Sequence, residues 1–214
     1  MKILNLYACL GGNRYKWDEV TDIRVTAVEL DPELARLYRE RFPNDKVIIA
    51  DAHQYLLDHY KEFDFIWSSP PCPSHSRARF WGFGSNGKNP VYPEMKLYEE
   101  IIFLQHHFKG NYVVENVIPY YEPLMLAKKR GRHLYWTNFN LPNSLNDRRF
   151  AISQTKNELK ELCKFHNIDL SSYKGEQSKL KIGRNLVDYQ ASKTILETAL
   201  GIITKQNINQ QELF

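Results

Sequence analysis

The chain has 214 residues, 43% of them hydrophobic and 25% charged, with a formal net charge of +4, enough for one substantial core with a small appendage and ordinary for a soluble globular protein. The charge is too small to demand a nucleic-acid partner, though it permits one, and no apolar run approaches the ~18 residues of a membrane span. The three cysteines, Cys9, Cys72 and Cys163, are odd in number, widely spaced and form no CxxC zinc pattern, which points to a reducing compartment.

Residues 1–6 are too short for a signal peptide and run straight into a motif, so a cytoplasmic protein is expected. Residues 3–6 read as a first strand, followed by Tyr7-Ala8-Cys9-Leu10-Gly11-Gly12-Asn13, a small-residue turn before a helix over 14–20. Small residues let backbone N–H groups approach a ligand closely; a plain strand-to-helix turn reads the same way. A second strand over 24–28 ends at Glu29-Leu30-Asp31-Pro32, where Asp31 and Pro32 make an N-cap and N1 pair opening a helix to about residue 42. Glu29 stands at a strand tip roughly 20 residues after the glycine turn, where a ribose-binding acid belongs in a nucleoside-binding βαβ unit; the plain alternative is a solvated loop acid. A third strand over 47–50 ends at Asp51-Ala52-His53. Asp51 can accept from an exocyclic amine such as that of adenine, or equally cap a helix over 55–60.

A fourth, apolar strand, Phe63-Asp64-Phe65-Ile66-Trp67, delivers Ser69-Pro70-Pro71-Cys72-Pro73-Ser74-His75-Ser76. Three prolines around one cysteine fix φ and remove backbone donors, so neither helix nor sheet continues. The expected product is a stiff loop presenting a thiol at the carboxyl end of a strand, where open α/β sheets bind ligands; the alternative is a buried, inert cysteine. Residues 77–88 then hold Arg77, Arg79 and Lys88 with three aromatics and three glycines. Arginines meet phosphates and aromatics stack on bases, or the stretch is a surface loop around an aromatic cluster. An amphipathic helix over 97–108 leads to a strand over 112–114 ending at Glu115-Asn116-Val117. A carboxyl in a partly buried cleft has its pKa raised and can donate a proton. The run Lys128-Lys129-Arg130-Gly131-Arg132-His133 precedes a strand over 134–137. It reads as a solvated face or as side chains alternating toward the cleft. Beyond residue 140 the chain turns polar and basic, with a helical stretch over 155–165, then Gly183-Arg184-Asn185-Leu186-Val187 before a helix over 188–203, and a Gln/Asn-rich tail expected to fray.

Strands alternating with helices predict a doubly wound parallel sheet. Three acids and one rigidly held cysteine then lie along one sheet edge, suited to a nucleoside cofactor beside a thiol nucleophile.

In this order the segments resemble those of DNA cytosine-5 methyltransferases. The residue 6–12 turn resembles that family's Phe-Ala-Gly-x-Gly-Gly cofactor loop, Pro71-Cys72 its nucleophile, Glu115-Asn116-Val117 its Glu-Asn-Val motif, and Asn185-x-Val187 the late segment that closes the cofactor pocket. The resemblance implies a Rossmann-like class I S-adenosylmethionine-dependent α/β methyltransferase with a small C-terminal appendage. It divides the chain into a catalytic domain (1–139), a reduced target-recognition or linker segment (140–182), a helix packing back (183–204) and a flexible tail (205–214). It implies a cofactor site from Tyr7, Ala8, Cys9, Gly11, Gly12, Glu29, Leu30, Asp51, Ala52, Pro71, Leu97, Asn185 and Val187. Cys72, Glu115 and Arg132 would be catalytic, and Ser76, Arg77, Arg79, Lys88 and Arg130 would meet double-stranded DNA. In the implied reaction a cytosine is flipped from the duplex, Cys72 attacks C6, Glu115 protonates or hydrogen-bonds N3, C5 takes the methyl, and a base removes the C5 proton as Cys72 leaves.

Departures from the pattern carry their own expectations. Cys9 replaces a glycine of the cofactor turn, Pro73 the usual Gln, and Lys128-x-Arg130-x-Arg132 a Gln-x-Arg-x-Arg motif. Arg184 facing the donor methyl would suit a carboxylated cofactor. Only about fifty residues separate Arg132 from Val187, where relatives insert a target-recognition domain, and base readout needs several side chains on a groove-fitting element. The alternatives are a very short site, a partner subunit, a non-catalytic DNA-binding role, or action on RNA.

Overall fold

The computed structural model describes residues 1–77, 91–145 and 157–202. Seven strands, β1 (Lys2–Leu6), β2 (Arg24–Glu29), β3 (Lys46–Ile49), β4 (Phe65–Ser68), β5 (Asn111–Val117), β6 (Lys128–Arg130) and β7 (His133–Thr137), form one sheet in the order β3-β2-β1-β4-β5-β7-β6. The first five pair in parallel, while β7 runs antiparallel to β5 and to β6. The strand order reverses between β1 and β4, which makes the carboxyl ends of these two strands the expected ligand crevice.

Both faces are covered, so the central strands are continuously apolar instead of alternating. Leu4, Leu6, Ile66 and Val114 pack against α2 (Ala52–His59) and α3 (Lys96–His107) through Leu56, Leu97, Ile101 and Leu104. The odd-numbered neighbours Ile3, Val25, Phe65, Trp67 and Val113 pack on the other face against Trp17 and, on α6 (Tyr189–Ala199), Ile195 and Leu196. Period-two side-chain alternation sorts adjacent apolar residues onto the two layers.

Helix α1 (Pro32–Arg41) begins as the sequence predicts: the Asp31 carboxylate accepts from the Glu33 and Leu34 amides, and Pro32 occupies the first turn. Residues 14–20 differ from expectation. They form a kinked 3-10 segment, Asn13–Glu19, with non-helical backbone at Lys16. A segment this short has little helical stability of its own, and tertiary anchors set its path. Trp17 Nε1 donates to Ser192 Oγ (2.8 Å), Asn5 and Asn13 exchange amide hydrogen bonds, and Arg14 is clamped by Asp18 and Asp45. The basic run at 128–133 is also more than a solvated face. It forms a hairpin of β6 and β7, turned by Gly131 at φ +54°.

The C-terminal appendage holds α4 (Glu158–His166) and α5 (Lys179–Asn185). Leu170, Tyr173, Ile182 and Leu186 form an apolar cluster with Leu10 and with Leu34 and Leu37 of α1. Arg41 donates to the carbonyls of Leu10 and His166. Stripped of water and without a carboxylate, its pKa falls to about 10; the carbonyl at the C-terminal end of α4 is a favourable partner for such a cation. The described residues of this segment are therefore packed down and not projected away: 157–182 on α1 and the turn after β1, and Leu141 and Leu145 in the cluster of Trp17 and Tyr135. No helix among the described residues is long and apolar enough to cross a membrane.

Candidate active site

A cleft of about 1060 Å³ opens at the carboxyl ends of the parallel strands. Of the residues predicted for the site, Tyr7, Ala8, Cys9, Gly12, Glu29, Leu30, Asp51, Ala52, Pro71, Cys72, Glu115, Asn185 and Val187 line it.

On one side lies the turn after β1. Tyr7 (φ +55°), Cys9 (φ +48°) and Gly11 (φ +65°) all adopt left-handed backbone, which costs roughly 1 kcal/mol or more at a non-glycine residue. The surroundings hold the turn there. Ala8 donates its amide to Val28 and Gly11 to Ala8, the Cys9 amide donates to Glu29 (2.7 Å), and Tyr7 Oη donates to Glu100 (2.6 Å). Glu100, fully buried on α3, also accepts from Ser68 and contacts His53 Nδ1 at 3.2 Å. This polar floor raises His53 above its ordinary pKa, chiefly through the hydrogen bond to Glu100.

Glu29 accepts one amide on each oxygen, from Cys9 (2.7 Å) and Asp31 (2.9 Å), and burial pushes its pKa up. The Leu30 amide also acts on this carboxylate, and with roughly four acceptor positions in all there is room left for a hydroxyl donor. Beside it Leu30 is 67% exposed, an apolar surface that a purine face would cover. Asp51 caps α2, one oxygen accepting from the Gln54 amide, while the other lies 3.5 Å from Lys96 Nζ and the residue lines the cleft. A rigid, half-buried diol acceptor beside an exposed leucine fits the nucleoside end of S-adenosylmethionine. At Cys9, by contrast, burial and then the Glu29 charge push the thiol up to about 12.

The other side carries the thiol and the third acid. Strand β4 places Ser68 against Val114 of β5, so the chain leaving β4 runs beside Glu115 and Asn116. Asn116, 2% exposed, donates its side-chain amide to the Pro70 carbonyl (3.0 Å) and so ties the two motifs together. The Cys72 carbonyl accepts from the His75 and Ser76 amides, and buried His75 meets Tyr121 Oη at 2.6 Å. Cys72 is thus held on a pinned loop, half-buried, opening on the same cleft as Glu115, which is 6% exposed. Burial and, second, the Glu115 charge raise the thiol pKa, while Lys181 of α5 draws it down.

Alkylation should report this balance. Cys72 is expected to react with iodoacetamide more slowly than a free thiol at neutral pH and to accelerate only above the usual cysteine range, since the thiolate is the reacting form. Lys181→Ala should move that rise to still higher pH, read by mass spectrometry of the Cys72 peptide across a pH series. An unchanged profile would separate Lys181 from the thiol.

Other predicted residues fall elsewhere. Gly11 packs under Tyr38 and Phe42, where an added Cβ would lie 2.5 Å from the Phe42 ring, and Leu97 is a core residue facing the sheet; neither lines the cleft. Ser76 bridges to Pro119, and Arg77 Nε donates to the Pro119 carbonyl (2.9 Å), which directs the guanidinium to the chain. Arg130 turns to the carbonyls of Lys129, Leu141 and Pro142. Arg132 is exposed at the hairpin turn, outside the cleft lining. Arg79 and Lys88 lie outside the described residues. Arg184 does line the cleft, and its Nε and Nη2 donate to the two oxygens of Glu158 at 2.7 Å each, a pairing with which a carboxylated donor would have to compete. Sequence reading passed over His133, Lys181 and Gln177, which do line the cleft. His133 could have been found from the period-two pattern of β7; Lys181 and Gln177 arrive only through the packing of the appendage.

The family model described as C-5 cytosine-specific DNA methylase matches residues 1–117. None of the curated proteins compared matches the chain. Among solved structures, a methyltransferase of Entamoeba histolytica, EhMeth, aligns over 94% of this chain and 98% of its own at 8% identity with a TM-score of 0.51. That likeness shows the fold, the class I S-adenosylmethionine-dependent methyltransferase architecture. A Spodoptera frugiperda DNMT2 mutant aligns at 25% identity and a TM-score of 0.40, over 54% of this chain and 35% of the insect protein, so the match spans about a third of that relative. SMU.776, complexed with SAH, aligns at 17% identity and a TM-score of 0.39 over 54% of this chain and 30% of its own.

Proposed function

The chain belongs to the C-5 cytosine-specific DNA methylase family, and from that premise we propose that it methylates C5 of a flipped-out cytosine in double-stranded DNA through a covalent Cys72 adduct. One observation carries the reading: Cys72 and Glu115, from adjacent strand ends, share a cleft with the Glu29–Leu30 nucleoside surface.

S-adenosylmethionine, when bound, supplies an electrophilic methyl group on a sulfonium. Glu29 would hold its ribose, Leu30 and Asp51 its adenine, and residues 185–187 would close the pocket from the appendage side. Cys72 gives up its thiol proton to water in the cleft, its Sγ forms the bond to C6 of the target ring, and the C5=C6 electron pair moves to C5. Glu115 places a proton on N3, which keeps that charge from accumulating on the ring. C5 takes the methyl group, a base removes the C5 proton, and the pair re-forms the double bond as the Cys72 sulfur leaves and N3 returns its proton to Glu115.

A second reading, target recognition by a partner subunit, is favoured by the appendage. Among the described residues, 157–186 pack onto α1 and offer no free groove-fitting element.

The test is transfer of labelled methyl groups to duplex DNA and to transfer RNA, with Cys72→Ser as control. Transfer to DNA by the chain alone, lost in the variant, is the expected result. Transfer only to RNA would overturn the DNA assignment, and transfer to neither would favour dependence on a partner.

A further inference from the structure

The hairpin brings an unassigned imidazole to the catalytic carboxyl. His133 Nε2 lies 3.5 Å from Glu115 Oε1, and the two side chains are 26% and 8% exposed. Strand register explains the meeting. Val117 pairs with His133 and Glu115 with Tyr135, so these four residues point to the same sheet face, whereas Arg132 falls on the turn and out of the cleft. His133 itself lines the cleft.

The chemistry asks for such a group. Glu115 must hold a proton when Cys72 adds to C6, must give it to N3, and must recover it afterwards, yet it is buried beside a thiol that becomes negative before it attacks. A carboxyl only 8% exposed has few water contacts through which to recover a proton once a base fills the cleft. His133, 3.5 Å away and 26% exposed, reaches solvent, and an imidazole can both accept and donate a proton. We propose that His133 is a positioning and proton-relay residue, sharing one proton with Glu115 and restoring it after each transfer to cytosine N3. The relay presupposes the cytosine chemistry proposed above.

Among the described residues, the other charged and titratable groups around the pair are few. Glu115 faces Cys72 from the loop after β4, Tyr135 from β7, and Lys181 of α5 across the cleft. His133 faces Tyr135 at a ring separation of 6.4 Å, and Arg130 across the hairpin, whose guanidinium is turned to backbone carbonyls. The 3.5 Å separation is that of a contact poised to shorten when a base fills the site, as catalytic hydrogen bonds commonly do.

Two measurements decide it. The first needs no turnover: ring nitrogen NMR signals of His133 in the full chain report which nitrogens carry protons. Glu115→Gln is expected to change that protonation state near neutral pH, and identical signals would overturn the couple whether or not a methyl-accepting substrate is known. The second is the pH dependence of methyl transfer. His133→Gln is expected to lower kcat about 10²-fold with little change in KM and to remove one limb of the profile. His133→Arg, a fixed cation that cannot pass a proton, should not rescue it. Full rescue by arginine, or a wild-type profile in His133→Gln, would overturn the relay. If the wild-type chain methylates neither DNA nor RNA, the result points to dependence on a partner, as stated above, and the ring signals still decide the pairing.

Discussion

Cys72→Ala is expected to reduce methyl transfer by about 10⁴-fold or more, because without the sulfur no covalent bond to C6 forms and C5 never becomes nucleophilic. Stability should change by only ~1 kcal/mol or less, since Cys72 sits half-buried on a loop whose shape is set by other groups. Those are the prolines around it, the Asn116 bond to Pro70, and the turn closed on the Cys72 carbonyl. A duplex carrying 5-fluorocytosine gives a second readout: fluorine cannot leave as a cation, so the adduct persists and can be seen as a protein–DNA species in a denaturing gel. That species should form with the wild-type chain and vanish in Cys72→Ala. A variant that kept its activity, or a wild-type chain that methylated without ever forming the adduct, would rule out the covalent route.

Gly12→Ala should cost about 2 kcal/mol of stability and weaken cofactor binding at least about tenfold. The reason is contact and not backbone conformation. Gly12 has φ −56° and ψ −50°, an ordinary right-handed geometry that alanine adopts freely. An added Cβ, however, would lie 2.6 Å from the Val187 carbonyl oxygen and 3.0 Å from Leu186 Cβ. Those neighbours are the segment that returns to the cofactor turn, so the methyl group must push residues 185–187 away from the cleft they help line. Gly11→Ala is the instructive contrast. Its φ of +65° and the Phe42 and Tyr38 rings penalise the methyl group, but on the side away from the cleft. Gly11→Ala should therefore lose stability with a smaller loss of affinity. Chemical denaturation and calorimetric titration with S-adenosylhomocysteine measure both variants. A Gly12→Ala protein that binds as tightly as wild type would show that the late segment does not close the pocket.

Much of this protein is written in local patterns. The Asp31-Pro32 cap, the apolar runs of the central strands and the Pro-Pro-Cys-Pro loop each state their structure within a few residues, because capping, burial on both sheet faces and proline's fixed φ are short-range effects. Order along the chain then puts Glu29, Asp51, Cys72 and Glu115 on one edge, since parallel strands joined by helices bring all their carboxyl ends together. What sequence alone left open was which of two roles a side chain takes. Asp51 both caps and lines; Arg184 and Arg130 are cations whose partners, Glu158 and the carbonyls of Leu141 and Pro142, come from elsewhere in the chain. The run Lys128–His133 shows the limit most clearly. Its composition names four basic residues before His133, but only the antiparallel register against β5 decides that the histidine, and not Arg132, meets Glu115. A shift of one residue reverses which side chains face the cleft. Local chemistry thus determined the fold and the place of Cys72 at a strand end, while long-range packing decided which basic side chains reach the carboxyl and the thiol, because a charge acts on whatever the tertiary fold sets within a few ångströms of it.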